Sequence, residues 1–168
     1  RLNYLALDRA DIQFATKEVA KYMANPSQGN LLLLKRPARY LIGAPRLVQL
    51  FAWQNQTRSI YAYTDSDWAG DKASRKSTSG GIVKLGSHLL KGWSSTQKVI
   101  ALSSGEAEYY GMVRGGVEGL GTQSILGDLG IHMNLRFSED STVAKGITDR
   151  TRLGKVRLIE VNQLWDPG

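Results

Sequence analysis

The feature that most constrains the fold is a double change of hydrophobic period between Ser59 and Leu126. Ser59-Ile60-Tyr61-Ala62-Tyr63 opens a strand that runs to Asp65. Gly81–Leu85 and Leu89–Ser94 are two further strand-like runs, and Gly86-Ser87-His88 between them has the composition of a hairpin turn. From Ser103 to about Leu126 the pattern becomes helical. Ser103 followed three residues later by Glu106 is a capping box that starts this helix. Six glycines within it count against the helix. Leu135–Ser138 is a short strand candidate leading into Glu139-Asp140. Val143–Ile147 reads as a short helix, and Leu158–Trp165 suits a strand or a helix.

Before Ser59 the chain reads as a helix pair. Residues 10–24 carry Ile12, Ala15, Val19, Tyr22 and Met23 on one helical face, and Asn25-Pro26 ends the run. A second helix is expected from about Asn30 to Ile42. Leu31–Leu34, Tyr40 and Leu41 supply its buried side, and Lys35, Arg36 and Arg39 its cationic one. Pro37 removes an amide donor there and should kink it. Leu47–Trp53 is a weak strand candidate. The whole order is helix pair, strand, hairpin, helix, strand, helix, which predicts an α/β protein with a mixed sheet.

The 168 residues suffice for one ordinary domain with a sizeable core. The formal charge is +7 and uneven: residues 1–58 hold +6 and residues 59–168 only +1. A basic arm beside a balanced domain suits a polyanionic partner. The absence of cysteine excludes disulfides and thiolate metal sites and fits an intracellular protein. No apolar run approaches the ~20 residues of a membrane span, and no signal peptide is visible. The chain begins at Arg1, so it reads as a piece of something longer.

Carboxylates carry the chemical signal. Asp65, Asp67 and Asp71 crowd the end of the first strand, and Lys72, Arg75 and Lys76 follow them. Like charges repel, so the cluster is either a well-solvated turn or a place where a divalent cation sits. Two-metal phosphodiester hydrolysis draws carboxylates from distant parts of a chain to one point. The candidates are Asp65 or Asp67, Glu106 or Glu108, Glu139 or Asp140, and Glu160. Glu106 and Glu108 stand about 200° apart round a helix, so one site cannot use both. The capping box gives Glu106 a structural role instead.

Several blocks carry a family resemblance. They are Tyr-Thr-Asp-Ser-Asp-Trp-Ala-Gly at 63–70, Ser-Thr-Ser-Gly-Gly at 77–81, Trp-Ser-Ser at 93–95 and Ser-Ser-Gly-Glu-Ala-Glu-Tyr at 103–109. In order and spacing they resemble the ribonuclease H domain of copia-type retrotransposon Pol polyproteins. Residues 140–147 and 154–161 resemble its later blocks. The helix pair resembles the connection segment that precedes it, through Asp11-Ile12, Asn25-Pro26 and Arg39-Tyr40-Leu41.

The resemblance implies a basic helical segment over 1–57 and a ribonuclease H-like domain over 58–168, its first three strands an antiparallel meander and its C-terminus truncated. It implies metal-binding carboxylates at Asp65, Glu108, Asp140 and Glu160, two Mg²⁺ ions (or Mn²⁺), and cleavage of the RNA strand of an RNA–DNA hybrid. Asp67 would cap the turn. Lys72, Arg75, Lys76, Ser77 and Lys98 would face the nucleic acid. The partners implied are the hybrid and the polymerase domain of the same polyprotein, in a cytoplasmic particle or the nucleus. Leu158 stands where the family usually has His, which leaves open a non-cutting scaffold that binds hybrid or polymerase. Trp68 and Trp93 are expected in the core, and His88 and His132 as structural or exposed residues.

Overall fold

The computed structural model describes residues 1–138. Asp140, Glu160, Leu158 and the two elements expected at 143–147 and 158–165 lie outside the described residues. The described chain is an α/β unit with a mixed four-stranded sheet and flanking helices, compatible with a ribonuclease H-like fold. Its elements are α1 (Leu2–Leu5), a 3-10 turn (Ala10–Ile12), α2 (Gln13–Ala20), α3 (Gln28–Gly43), β1 (Ser59–Asp67), β2 (Thr78–Leu85), β3 (His88–Thr96), α4 (Ser104–Asp128) and β4 (Asn134–Ser138). The strand order is β3-β2-β1-β4. The first three strands are antiparallel, and β4 joins β1 in parallel, with Ile60 opposite Leu135 and Tyr63 opposite Ser138. That parallel pairing requires a crossover, which α4 supplies.

Alternation along β1 decides which side of the sheet does what. Ile60 and Ala62 are buried, and with Thr64 and Ser66 they point toward α4. Tyr61, Tyr63 and Asp65 point the other way. Ile60, Val83 and Trp93 form the buried core cluster, covered by Leu85, Leu126, Met133 and Leu135. The glycines that weaken α4 as an isolated helix explain its docking. Gly111, Gly115 and Gly119 recur every four residues, are buried, and face Ser66, Thr64 and Leu135 respectively. A Cβ on Gly115 would lie 2.3 Å from Thr64 Cγ2. Close approach offsets a propensity loss of about 1 kcal/mol per glycine.

The hairpin turn forms where expected. Gly86 adopts φ +60°, a left-handed conformation that costs glycine little. Gln54 holds the turn from outside. Its Nε2 donates to the Leu85 carbonyl at 2.9 Å, and its Oε1 accepts from the Ser87 amide at 2.8 Å. With that amide orientation fixed, Nε2 also donates to His88 Nδ1, and His88 Nε2 donates to the Ala52 carbonyl. His88 is therefore structural, as expected, and His132 is exposed.

The first third departs from expectation in three places. Leu47–Trp53 is no strand: residues 44–57 form an irregular strap, whose poor alternation gives a ladder no consistent buried face. The expected buried side of the second helix is largely exposed, with Leu31 53% and Leu32 61% accessible, because α3 touches the rest of the unit chiefly through α2. Four consecutive leucines point in every direction round a helix, so a single contact cannot cover them. The helix continues through Pro37, its one buried residue. The first helix also stops at Ala20, leaving Tyr22 and Met23 exposed beyond it.

Candidate active site

The C-terminal end of β1 carries the acids, and their surroundings separate them by role. Asp67 accepts the Thr78 amide across the strand pair and packs over Gly70. Asp71 accepts the Ala73 amide at 3.1 Å and the Ser74 hydroxyl at 2.8 Å, and pairs with Lys21 at 3.6 Å. The Ser74 bond, then the Ala73 amide, hold the Asp71 carboxyl below its ordinary range. Asp71 is thus the turn-building acid of the cluster. The loop it shapes is tight: Ala69 and Arg75 both have positive φ.

Asp65 differs from both. It is exposed, on an inner strand, and opens onto a cleft of about 390 Å³ between α2 and the sheet that Phe14, Tyr63, Gly80 and Gly92 also line. The Ser66 amide donates to its Oδ1 at 2.9 Å. Among the described residues no donor bonds its second oxygen and no cation pairs with it. By contrast Asp11, Glu18, Asp71 and Glu118 all have a lysine or arginine partner.

The helix brings Glu108 to the same end of the sheet. Ser103 Oγ caps α4 by accepting the Glu106 amide at 3.2 Å, and Glu106 reaches back to the Leu102 amide at 2.8 Å. The capping-box glutamate is therefore occupied as expected, one residue earlier than the usual reciprocal bond. Glu108 lies on the sheet-facing side of α4, within about 20° of Gly115 round the helix axis. It is half-buried. One turn further on, a Cβ on Gly111 would lie 3.5 Å from Ser66 Cβ and 3.8 Å from the Asp65 carbonyl oxygen. No group of three or more His, Asp or Glu that could hold a metal occurs among the described residues. The other two expected ligands, Asp140 and Glu160, lie outside them. β4 runs parallel to β1 and ends at Ser138 opposite Tyr63, two residues before Asp65.

Of the expected nucleic-acid contacts, Lys72, Arg75 and Lys98 are exposed and Lys76 is half-exposed. None of the four has a carboxylate partner among the described residues. Ser77 requires a correction. It is fully buried, and its hydroxyl accepts the Ala69 amide at 3.0 Å, so it shapes the loop and does not face a partner. Trp93 is in the core as expected, but Trp68 is 50% exposed and donates through Nε1 to the Ala101 carbonyl at 3.1 Å. A tryptophan beside a tight loop is anchored by its N–H, a role that composition does not reveal.

Sequence reasoning missed Gln97. Its Nε2 donates to Ser79 Oγ at 2.8 Å, to the Ala107 carbonyl at 2.8 Å and, more weakly, to Ser66 Oγ at 3.4 Å. It is 8% exposed. A glutamine between a strand and a helix cap carries no motif of its own, so only the packing reveals it.

Fold and site together define an α/β domain in which Asp65 stands at the end of an inner strand and Glu108 in the first turns of the helix packed on that sheet. The comparisons specify it further. The chain is 41% identical over 132 residues to the Retrovirus-related Pol polyprotein from transposon RE1 of Arabidopsis thaliana, and 39% identical over 133 residues to that from transposon RE2; each alignment covers 79% of this chain and 9% of the polyprotein. It is also 34% identical over 105 residues to Secreted RxLR effector protein 161 of Plasmopara viticola, covering 62% of this chain and 73% of that protein. The chain is thus similar to retrovirus-related Pol polyproteins of transposons, and it spans about 9% of their length. No family model and no solved structure gives a match.

Proposed function

We propose that the chain is a ribonuclease H unit of a copia-type Pol polyprotein, cutting the RNA strand of RNA–DNA hybrids with Mg²⁺. The observation that carries this reading is Asp65: an exposed carboxylate at the end of an inner strand, with no cation partner among the described residues, at the same end of the sheet as Glu108. The donor chemistry fits the ion, since Mg²⁺ takes hard oxygen ligands and keeps several of its waters. Asp65 and Glu108 would hold it, together with Asp140 and Glu160. When bound, such ions supply a nucleophilic water and neutralise charge on the phosphate.

The chain's own residues set the rest. Asp65 is fixed by the β1–β2 ladder, where it sits opposite Gly80, so the acid stands on a rigid element. Asp67 and Asp71 hold the loop that follows, and this loop presents Lys72, Arg75 and Lys76 beside the acids. Their charge, which no carboxylate among the described residues pairs, would attract phosphate oxygens of the hybrid and orient its backbone. RNA would be told from DNA by the 2′-hydroxyl and the A-like groove. The polymerase part of the same polyprotein is the proposed partner of the basic first third, in an intracellular setting.

The test is a labelled RNA–DNA hybrid incubated with the full chain and Mg²⁺, beside Asp65→Asn and Glu108→Gln. Mg²⁺-dependent cutting of the RNA strand by the parent, lost in both variants, is the expected result. Hybrid binding without cutting by the parent would contradict it and point to a non-cutting scaffold.

A further inference from the structure

Asp65 and Glu108 reach the site from different elements, so something must fix the distance between a strand and a helix. The strand pair offers Ser66, next to Asp65, and Ser79 opposite Ser66 in register. The helix offers the carbonyl of Ala107, next to Glu108. The buried amide of Gln97 bonds all three. Each expected ligand is thus one residue from a point held by the same side chain. The Gln97 backbone is itself fixed, its amide donating to the Ser77 carbonyl at 2.8 Å.

We propose that Gln97 is a positioning residue for the acidic centre: its amide clamps the Ser66–Ser79 pair to the first turn of α4 and so sets the spacing between Asp65 and Glu108. This rests on the reading of those two acids as metal ligands.

Two further observations separate positioning from general packing. Gln97 Oε1 is buried with no partner among the described residues, which costs stability. An apolar side chain of similar volume would remove that unpaired oxygen but would also leave Ser79 Oγ and the Ala107 carbonyl without this donor, so the volume is kept at a modest cost in stability. The contact it bridges is also already close: a Cβ on Gly111 would lie 3.7 Å from Ser79 Oγ, so helix and sheet touch there without the glutamine. What the amide adds is direction, through a donor aimed at a helix carbonyl and a strand hydroxyl at once.

Gln97→Met keeps the volume and removes the donor; Gln97→Ala removes both. Mn²⁺ binding to the full chain, followed by electron paramagnetic resonance well below the melting temperature of every variant, is the readout. Gln97→Met is expected to melt somewhat below the parent but above Gln97→Ala, to stay folded at the measuring temperature, and to bind Mn²⁺ about 10-fold more weakly, the low end of what loss of an outer-shell partner costs a metal site. Hydrogen exchange at the amides of residues 107–111 should quicken in the same variant. Parental Mn²⁺ affinity in Gln97→Met would overturn the proposal alone, as would a lowered melting temperature in both variants with unchanged affinity. A parent that binds no Mn²⁺ would overturn the metal reading of Asp65 and Glu108, and the proposal with it.

Discussion

Two acidic regions of this molecule have the same chemistry and opposite surroundings. At the start of the chain, Asp11 is bound on both oxygens by Arg9, at 2.9 and 2.7 Å, and also accepts the Tyr40 hydroxyl at 2.8 Å. Arg9 is buried and donates onward to the carbonyls of Ala44 and Pro45, tying the 3-10 turn to the end of α3. The Arg9 bonds outweigh the burial that would raise it, and the Asp11 carboxyl is lowered to about 2. At the end of β1, Asp65 has only its neighbour's amide among the described residues. A carboxylate neutralised from within holds a fold together. One left exposed without a cation on a rigid strand is available to a ligand.

Substitutions can break that contrast, and their effects should fall in a definite order. The largest concerns activity: Asp65→Asn should lower Mg²⁺-dependent hybrid cleavage by ~100-fold or more, since the change removes a ligand and not merely its outer shell. Its melting curve should match the parent's. Next is packing beside the site. A Cβ on Gly81 would lie 2.2 Å from Trp93 Cζ2 and 2.7 Å from the Tyr63 carbonyl oxygen. Gly81→Ala should therefore cost about 3 kcal/mol by denaturant unfolding, the upper part of the range for overpacking. Asp11→Asn should lower the melting temperature by several degrees while leaving cleavage per folded molecule unchanged.

The same aspartate predicts a pH dependence. Its folded value of about 2 lies below its ordinary 3.8, so the unfolded chain takes up the proton first as pH falls. The stabilisation is full above about pH 4 and lost as pH falls through 2. Unfolding midpoints measured between pH 2 and 5 should show this slope in the parent and a shallower one in Asp11→Asn. The smallest effect belongs to Asp71→Asn. It keeps an acceptor oxygen for the Ala73 amide, must reverse the bond with Ser74 and loses the Lys21 pair, all at the surface, so both melting and cleavage should stay close to the parent.

How much of this was legible in the sequence depended on whether a residue's role is local. The β1 strand, the Gly86 hairpin, the Ser103 cap and the long helix follow from period, turn composition and capping, which act over a few residues. The order of those elements was enough for the α/β class. The exposure of Leu31–Leu34 was not legible, because a leucine run shows that a face is apolar and not whether anything covers it. The glycines of α4 misled in the other direction: they lower helix propensity, yet they are the surface on which β1 and β4 pack. Asp65 and Glu108 stood out through their blocks, whereas Ser77 looked like a surface serine until its hydroxyl was found under the Ala69 amide. Gln97 had no signal at all, since its three partners come from separate elements.

Within the Asp65–Asp71 cluster the proposed functional acid is Asp65, which opens onto a cleft and has no cation partner among the described residues, and the structural one is Asp71, paired with Lys21. The most direct measurement compares cleavage of an RNA–DNA hybrid by Asp65→Asn and Asp71→Asn, each confirmed folded by its melting curve, against the parent in Mg²⁺. The account predicts that Asp65→Asn is inactive and Asp71→Asn cuts at close to the parental rate. Equal activity in the two variants, or loss confined to Asp71→Asn, would contradict it.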